Sequence, residues 1–224
     1  TARRDRWVTR LHAGPAGGAE LFDLLRDYGI PAVRALPAAT REAALAAAEA
    51  IGYPVAVKTD EPGIAHKSDV GGVRLGIASP AALREAYADL AARLGPRVVV
   101  SELAPPGPEL IIGMARDQAL GPLIVTGPGG VLANFSAERS VAPPPLTPAA
   151  AGALLGRLRV AEILAGVRGN PPCDVAAVVR AIVSFSVLAC ELGGALEAFD
   201  VNPLICGPAG VLAVDALAVT RGPG

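Results

Sequence analysis

Stretches that alternate between apolar and polar residues at period two are interleaved with others at period 3.6, and both are cut by glycine and proline. From Ala19 to Tyr28, Leu21, Phe22, Leu24 and Leu25 predict a short amphipathic helix, stopped by Gly29. Ala32 to Leu36 then reads as a strand. Thr40 is placed to cap an alanine-rich helix that runs to Ile51 and stops at Gly52. Val55 to Val57 and Val73 to Ile77 read as strands on either side of a polar loop. Ser79-Pro80 opens a helix on which Leu83, Tyr87, Leu90 and Leu94 share one face, ended by Gly95. Val98 to Glu102, Glu109 to Ala115 and Leu123 to Thr126 follow as strands. Thr147-Pro148 starts a helix through about Leu158, and Asp174 caps the longest one, to Leu192. That helix is apolar nearly all round, which predicts burial. Leu196 to Val201 and Val211 to Leu217 close the pattern as two strands. The rhythm is α+β (α/β in its alternation). It divides into an arm or linker over 1–18, a first lobe over 19–103 and a second over 104–224, hinged at the proline-rich Ala104–Pro108 with a cleft between the lobes.

Composition narrows the function classes. The 224 residues suffice for a substantial core, and 52 % of them are apolar, but no unbroken apolar run reaches membrane-spanning length. No signal-peptide pattern opens the chain, so neither a membrane partner nor secretion is expected. A formal net charge of −1, with no basic run interleaved with aromatics, argues against a nucleic-acid surface. Cys173, Cys190 and Cys206 are odd in number and widely spaced. They read as reduced thiols, and the expected location is the cytoplasm.

The residues with most chemistry lie between 53 and 77. Lys58 ends one strand, and His66, Lys67, Ser68 and Asp69 fill the loop. Gly71-Gly72 then opens the next strand, which carries Arg74. Amides near glycine can turn to phosphate oxygens while lysines balance the charge. An ordinary hairpin with a solvated polar tip has the same pattern, and the stretch alone leaves both readings open. His66 is a nucleophile able to carry a phosphoryl group. Glu102 and Glu109 flank the hinge, as ligand acceptors or as solvated strand ends. Asp200 and Asn202 share a strand face, and Asp215 lies in the next apolar run. Antiparallel pairing of those strands would bring Asn202 and Asp215 together as oxygen ligands of the kind Mg²⁺ takes, although backbone partners would also satisfy them. The Gly127-x-Gly-Gly turn lacks the helix of a dinucleotide fingerprint. No P-loop occurs, and no nucleophile elbow supports a triad built on His12 or His66.

In order, the chain reads Pro-Val-x-x-Lys, His-Lys-Ser-Asp-x-Gly-Gly-Val, Glu-x-x-x-x-Gly-x-Glu-Leu, Arg-Asp-x-x-x-Gly-Pro, Gly-x-Gly-Gly and Asp-x-Asn-Pro-Leu. This succession resembles the ATP-grasp domain of NDP-forming acyl-CoA synthetases, the β-subunit type of ADP-forming acetate–CoA ligase in the succinyl-CoA synthetase superfamily. It covers roughly residues 17 to 220. The resemblance implies an ATP-grasp fold with ATP or ADP held between two α+β lobes. Lys58 would contact the phosphates beneath the Gly71-Gly72 loop, with Lys67 and Arg74 counted beside it. Ser101, Glu102 and Leu103 match the adenine hinge, Glu109 the ribose contact, and Asn202 and Asp215 the Mg²⁺ ligands. His66 matches the histidine that ferries phosphate in the reaction acyl-CoA + ADP + phosphate ⇌ acid + CoA + ATP. The CoA-binding and ligase domains, or an α subunit, would be partners, with a carboxylic acid or acyl-CoA as substrate.

One segment departs from that pattern. Asn134, Glu138 and Ala142 stand where the family carries Glu, Asp and Arg. Losing an acid and a base near a triphosphate raises a second reading, a catalytically degenerate ATP-grasp module that senses nucleotide or acyl-CoA in a larger protein such as a protein acetyltransferase. Carboxylate–amine ligation shares the fold but needs no loop histidine, and ranks last.

Overall fold

The computed structural model describes residues 2–64, 66–130, 133, 136–167 and 171–221. The chain divides into two compact units. One comprises 17–22 and 33–104; the other comprises 1–16, 23–32 and 105–224.

In the smaller unit a four-stranded antiparallel sheet runs in the order β1 (Ala35–Ala38), β4 (Val98–Glu102), β2 (Val55–Thr59), β3 (Val73–Ile77). Helices α3 (Arg41–Ile51) and α4 (Pro80–Leu94) pack on one face. Val55, Val57, Val98 and Val100 point into that core with Ala44, Ala48, Leu83 and Leu90. Alternation along β2 and β4 therefore puts Lys58, Val99 and Ser101 on the opposite face. Both helices start where the sequence predicts. Thr40 Oγ1 accepts from Ala43 N at 3.1 Å and Ser79 Oγ from Ala82 N at 3.2 Å. The first strand lies over Ala35–Ala38 rather than 32–36. Ala32 instead makes an isolated bridge to Ala213 in the larger unit.

The larger unit holds the sheet order β10 (Ala216–Thr220), β8 (Leu196–Gly207), β5 (Glu109–Asp117), β6 (Gly121–Pro128), β7 (Ser140–Ala142), with β9 (Gly210–Ala213) also paired to β8. Helices α5 (Pro148–Gly156) and α7 (Val175–Leu192) pack against it, and the short α6 (Val160–Leu164) lies between them in sequence. By length and composition α7 could cross a membrane, with 18 residues at mean hydropathy 2.0. Here it is the central core helix: Val178, Ile182, Phe185, Leu188 and Leu192 are fully buried where it packs on β5, β6 and β9, and the Phe185 ring meets that of Phe199.

Three expectations are corrected. Residues 1–18 do not form a simple arm, because α1 (Ala2–His12) buries Trp7 and Leu11, and Trp7 Nε1 donates to Asp27 at 2.8 Å. Arg3 stacks on the Tyr28 ring and pairs with Glu191 at 2.9 Å, and the Tyr28 hydroxyl donates to the same carboxylate at 2.7 Å. The strand expected to end at Val201 continues to Gly207. The one expected over 211–217 is two, broken at Val214-Asp215.

Cys206 is buried on β8, and burial, with Cys173 nearby, pushes its thiol up to about 12. A folded-state value above the ordinary thiol range of about 8.5 means that the stability contribution is full below that pH. It is then lost as pH climbs toward 12. In native protein at pH 8, iodoacetamide is expected to modify exposed Cys190 and to reach Cys206 only on unfolding. Equal labelling rates at the two positions by mass spectrometry would contradict this.

Candidate functional site

In the smaller unit the residues between β2 and β3 form a loop closed at its base, where Thr59 N donates to Gly72 O at 2.8 Å. His66 is exposed near its tip. Successive backbone turns hold it: Asp69 N to His66 O at 3.2 Å, Gly71 N to Ser68 O at 3.0 Å and Gly72 N to Lys67 O at 2.7 Å. In this conformation the Gly71 and Gly72 amides are thus used inside the loop rather than turned outward to an anion, the first of the two readings the stretch leaves open. Both glycines have a steric reason as well. Gly71 has φ +61°, and a Cβ on Gly72 would stand 2.6 Å from the Thr59 methyl and 2.9 Å from Lys67 O.

The loop is tied at both ends. At its start, Asp60 Oδ1 accepts from Gly18 N at 3.0 Å, at the first turn of α2 (Gly18–Asp27). Asp60 N donates to Arg97 O at 2.8 Å, and Glu61 Oε1 accepts from Arg97 N at 2.7 Å. At its end, Arg74 and Arg93 donate to the carbonyls of Val70, Gly71 and Val73, and both bind Asp89. Arg93 chiefly, with Arg74 adding to it, holds the Asp89 carboxyl below the usual range. Arg74 is therefore engaged by α4 and its own loop. The sequence pattern missed Asp60, Glu61, Asp89 and Arg93, because nothing local marks a partner fifteen or more positions away.

Lys58 is 9 % exposed, between Val73 and Val99 across the neighbouring strands on the face away from the helices. Ser101 is buried on the same face. The Glu102 carboxylate accepts from Arg34 N at 2.8 Å while Glu102 N donates to Arg34 O at 2.9 Å, so this side chain fixes the approach to β1. Leu103 is exposed and Lys67 half-buried in the loop.

In the larger unit, four elements bring Glu109, Gly129-Gly130, Asn202 and Asp215 together. Glu109 O accepts from Gly129 N at 2.8 Å, and Asn202 Oδ1 accepts from Gly130 N at 2.7 Å. Asn202 N donates to Asp215 O at 3.1 Å, and Asp215 Oδ1 accepts from Ala216 N at 3.0 Å. Gly130 has φ +57°, and a Cβ there would overlap the Glu109 carboxylate. A Cβ on Gly129 would overlap the Leu110 backbone. The glycine turn is therefore packed onto the start of β5. Register on β8 places Asp200, opposite Gly113, on the same sheet face as Glu109 and Asn202, away from buried Val201 and Phe199. Among the described residues no three His, Cys, Asp or Glu side chains cluster as a metal site. A metal here would take the two oxygens of Asn202 and Asp215 and complete its shell from water or ligand.

Of the departing segment, Asn134 lies outside the described residues. Glu138 Oε1 accepts from Arg159 N at 2.9 Å at the start of α6, and Ala142 on β7 pairs with Ile124 on β6. Arg139, unmarked by the pattern, donates to Ala133 O at 2.8 Å, Ser136 O at 3.0 Å and Glu138 O at 2.8 Å, and residues 138–139 lie beside Gly127.

Comparison with known proteins gives the constellation its family. The chain is 34 % identical over 205 residues to the β subunit of ADP-forming acetate–CoA ligase I of Pyrococcus furiosus, covering 88 % of each. It is 36 % identical over 205 residues to a trans-feruloyl-CoA synthase of an unknown prokaryotic organism, covering 87 % of this chain but 29 % of that protein. In structure it resembles the acetyl-coenzyme A synthetase 1 of Candidatus Korarchaeum cryptofilum, described as dinucleotide forming. That protein was solved with coenzyme A and Mg-AMPPCP, its phosphohistidine segment pointing towards the nucleotide binding site. The TM-score is 0.84 at 32 % identity, over 98 % of this chain and all of that one. The same synthetase has been solved with a phosphorylated phosphohistidine segment, at TM-score 0.84 and 30 % identity. Residues 15–219 match the ATP-grasp domain family, and the chain belongs to it.

Proposed function

We propose that the chain is the nucleotide-binding and phosphoryl-transfer part of an ADP-forming acyl-CoA synthetase. The observation that carries this is the exposed His66 on a loop closed at its base, in a chain similar to a synthetase with a phosphohistidine segment. The phosphoryl group would pass from an acyl phosphate to an imidazole nitrogen of His66, releasing the carboxylate. A terminal oxygen of ADP would then take it, giving ATP and free imidazole.

Lys58 and Lys67 are assigned to phosphate charge, the backbone at Ser101–Leu103 to the base, and Glu109 to the ribose. Arg74 is assigned to holding the loop. Asn202 and Asp215 would hold Mg²⁺, which when bound neutralises charge on the phosphate oxygens. These two oxygens suit an ion that keeps most of its shell as water and phosphate. Since the chain spans less than a third of the feruloyl-CoA synthase, the CoA-binding and ligase functions are assigned to other domains or a partner subunit. The acid and acyl-CoA would be bound there. The cytoplasm is the proposed location, on the odd and scattered cysteines.

The test is to supply the chain, with its CoA-binding and ligase domains, with MgATP labelled in the γ-phosphate. Acid-labile, base-stable label on His66 is expected, and chelation before the nucleotide is added should prevent it. Asp215→Ala should slow labelling about 10²-fold, with partial recovery at high Mg²⁺. Calorimetric binding of MgATP with no label at all would favour the sensing module, which the capping role of Glu138 and the missing cation at Ala142 support.

A further inference from the structure

We infer that Asp89, with Arg74 and Arg93, is a positioning latch that fixes the C-terminal end of the His66 loop and so sets where the imidazole is presented. The inference rests on His66 being the phosphoryl carrier.

The geometry is specific to this end of the loop. Arg93 Nη1 donates to Val70 O at 3.2 Å and Nη2 to Gly71 O at 2.9 Å, while Arg74 Nη1 donates to Gly71 O at 2.8 Å and Val73 O at 2.9 Å. Two cations on one carbonyl would repel each other, and Asp89 stands between them. Its Oδ1 accepts from Arg93 Nε at 3.0 Å and its Oδ2 from Arg93 Nη2 at 3.0 Å and from Arg74 Nη2. Asp89 and Arg93 sit one turn apart on α4, a rigid base, and Arg74 sits on β3.

Asp60 and Glu61 fix the other end through Arg97 and Gly18, so His66 lies in sequence between two anchored points. The side chains of the latch are 37 to 42 % exposed. Ion pairs so exposed add little to global stability, and seven directed hydrogen bonds there are better understood as orientation. Asp89 touches no reacting atom in this account; it acts through the loop.

The experiment is rapid-quench labelling of His66 from MgATP in the chain with its CoA-binding and ligase domains, comparing wild type, Asp89→Asn, Asp89→Glu and Arg93→Lys. Asp89→Asn is expected to slow the single-turnover rate about tenfold while the ATP Kd and Tm stay put, a loss smaller than the roughly 10²-fold that a misplacement of about 1 Å can cost. Asp89→Glu should recover most of the rate. A rate equal to wild type overturns the latch, as does a slowdown matched by lost ATP affinity or by unfolding. Hydrogen exchange read by mass spectrometry gives an arm free of chemistry. Amides of residues 66–72 should exchange about tenfold faster in Asp89→Asn. If wild type binds MgATP but is never labelled, the carrier reading fails, and this exchange arm still decides the latch: unchanged exchange overturns it.

Discussion

His66→Asn is expected to abolish acid-labile labelling and to cut overall acyl-CoA-dependent ATP synthesis by at least about 10³-fold, with ATP affinity and thermal stability unchanged. The amide nitrogen of asparagine is not a nucleophile, so the phosphoryl group has no acceptor in the loop. The structure explains why the remaining properties should survive. His66 is exposed, and its contribution to the loop is a backbone one, its carbonyl accepting from Asp69 N at 3.2 Å. No core packing is lost with the ring. Residual label on the variant would move the acceptor to another side chain, whereas loss of ATP affinity would show that the loop folds around the imidazole.

The second large effect lies in the core. Phe185→Ala on α7 is expected to destabilise the larger unit by about 3–5 kcal/mol, because it removes a fully buried ring and leaves a cavity that the sheet cannot fill. The Phe185 ring lies 5.6 Å from that of Phe199 on β8. One residue beyond Phe199 is Asp200, and three beyond is Asn202, whose side chain holds Gly130. The same substitution should therefore raise the Mg²⁺ concentration needed for labelling before it unfolds the protein. Denaturant titration followed by tryptophan fluorescence measures the first effect, with Trp7 as the probe in the same unit. A loss below about 1 kcal/mol would mean that the site relaxes and that the core does not depend on this ring.

Where local chemistry decides structure, the sequence was readable. Thr40, Ser79, Thr147 and Asp174 all cap the helices they were expected to cap. Gly29, Gly52 and Gly95 follow helix ends at positive φ, as L-residues avoid doing. Strand β1 extends beyond the 32–36 that the pattern predicts, because Pro37 lies inside it. Proline is excluded from central strands, but β1 is the sheet's edge, where a missing N–H leaves no ladder bond unmade. Helix α1 escaped notice because its charged residues outweigh Trp7 and Leu11, and those two bury only against elements distant in sequence.

The site divides in the same way. Asn202 and Asp215 were paired from alternation and the assumption of antiparallel strands, and β8 and β10 do pair so, joining the two residues through their backbones. Glu109 joins them only because β5 lies beside β8, a register that no local pattern encodes. The loop glycines are open in the sequence to two readings, an anion cradle or an ordinary hairpin. The fold gives them a closing role first, since Gly72 accommodates Thr59 and both amides are spent on loop carbonyls.

The closed base of the loop also acts as a tether. His66 stands six residues from Asp60 and six from Gly72, and a fully extended chain of that length spans about 20 Å. With Val70 still latched, only four residues remain on that side, and the span falls to about 14 Å. On the proposed carrier role, an acyl-phosphate donor would come within that radius, plus the reach of the imidazole side chain, of the β2–β3 end. The tether thus sets a maximum distance on how a ligase domain can be placed, which a chemical cross-linker of matched length can measure.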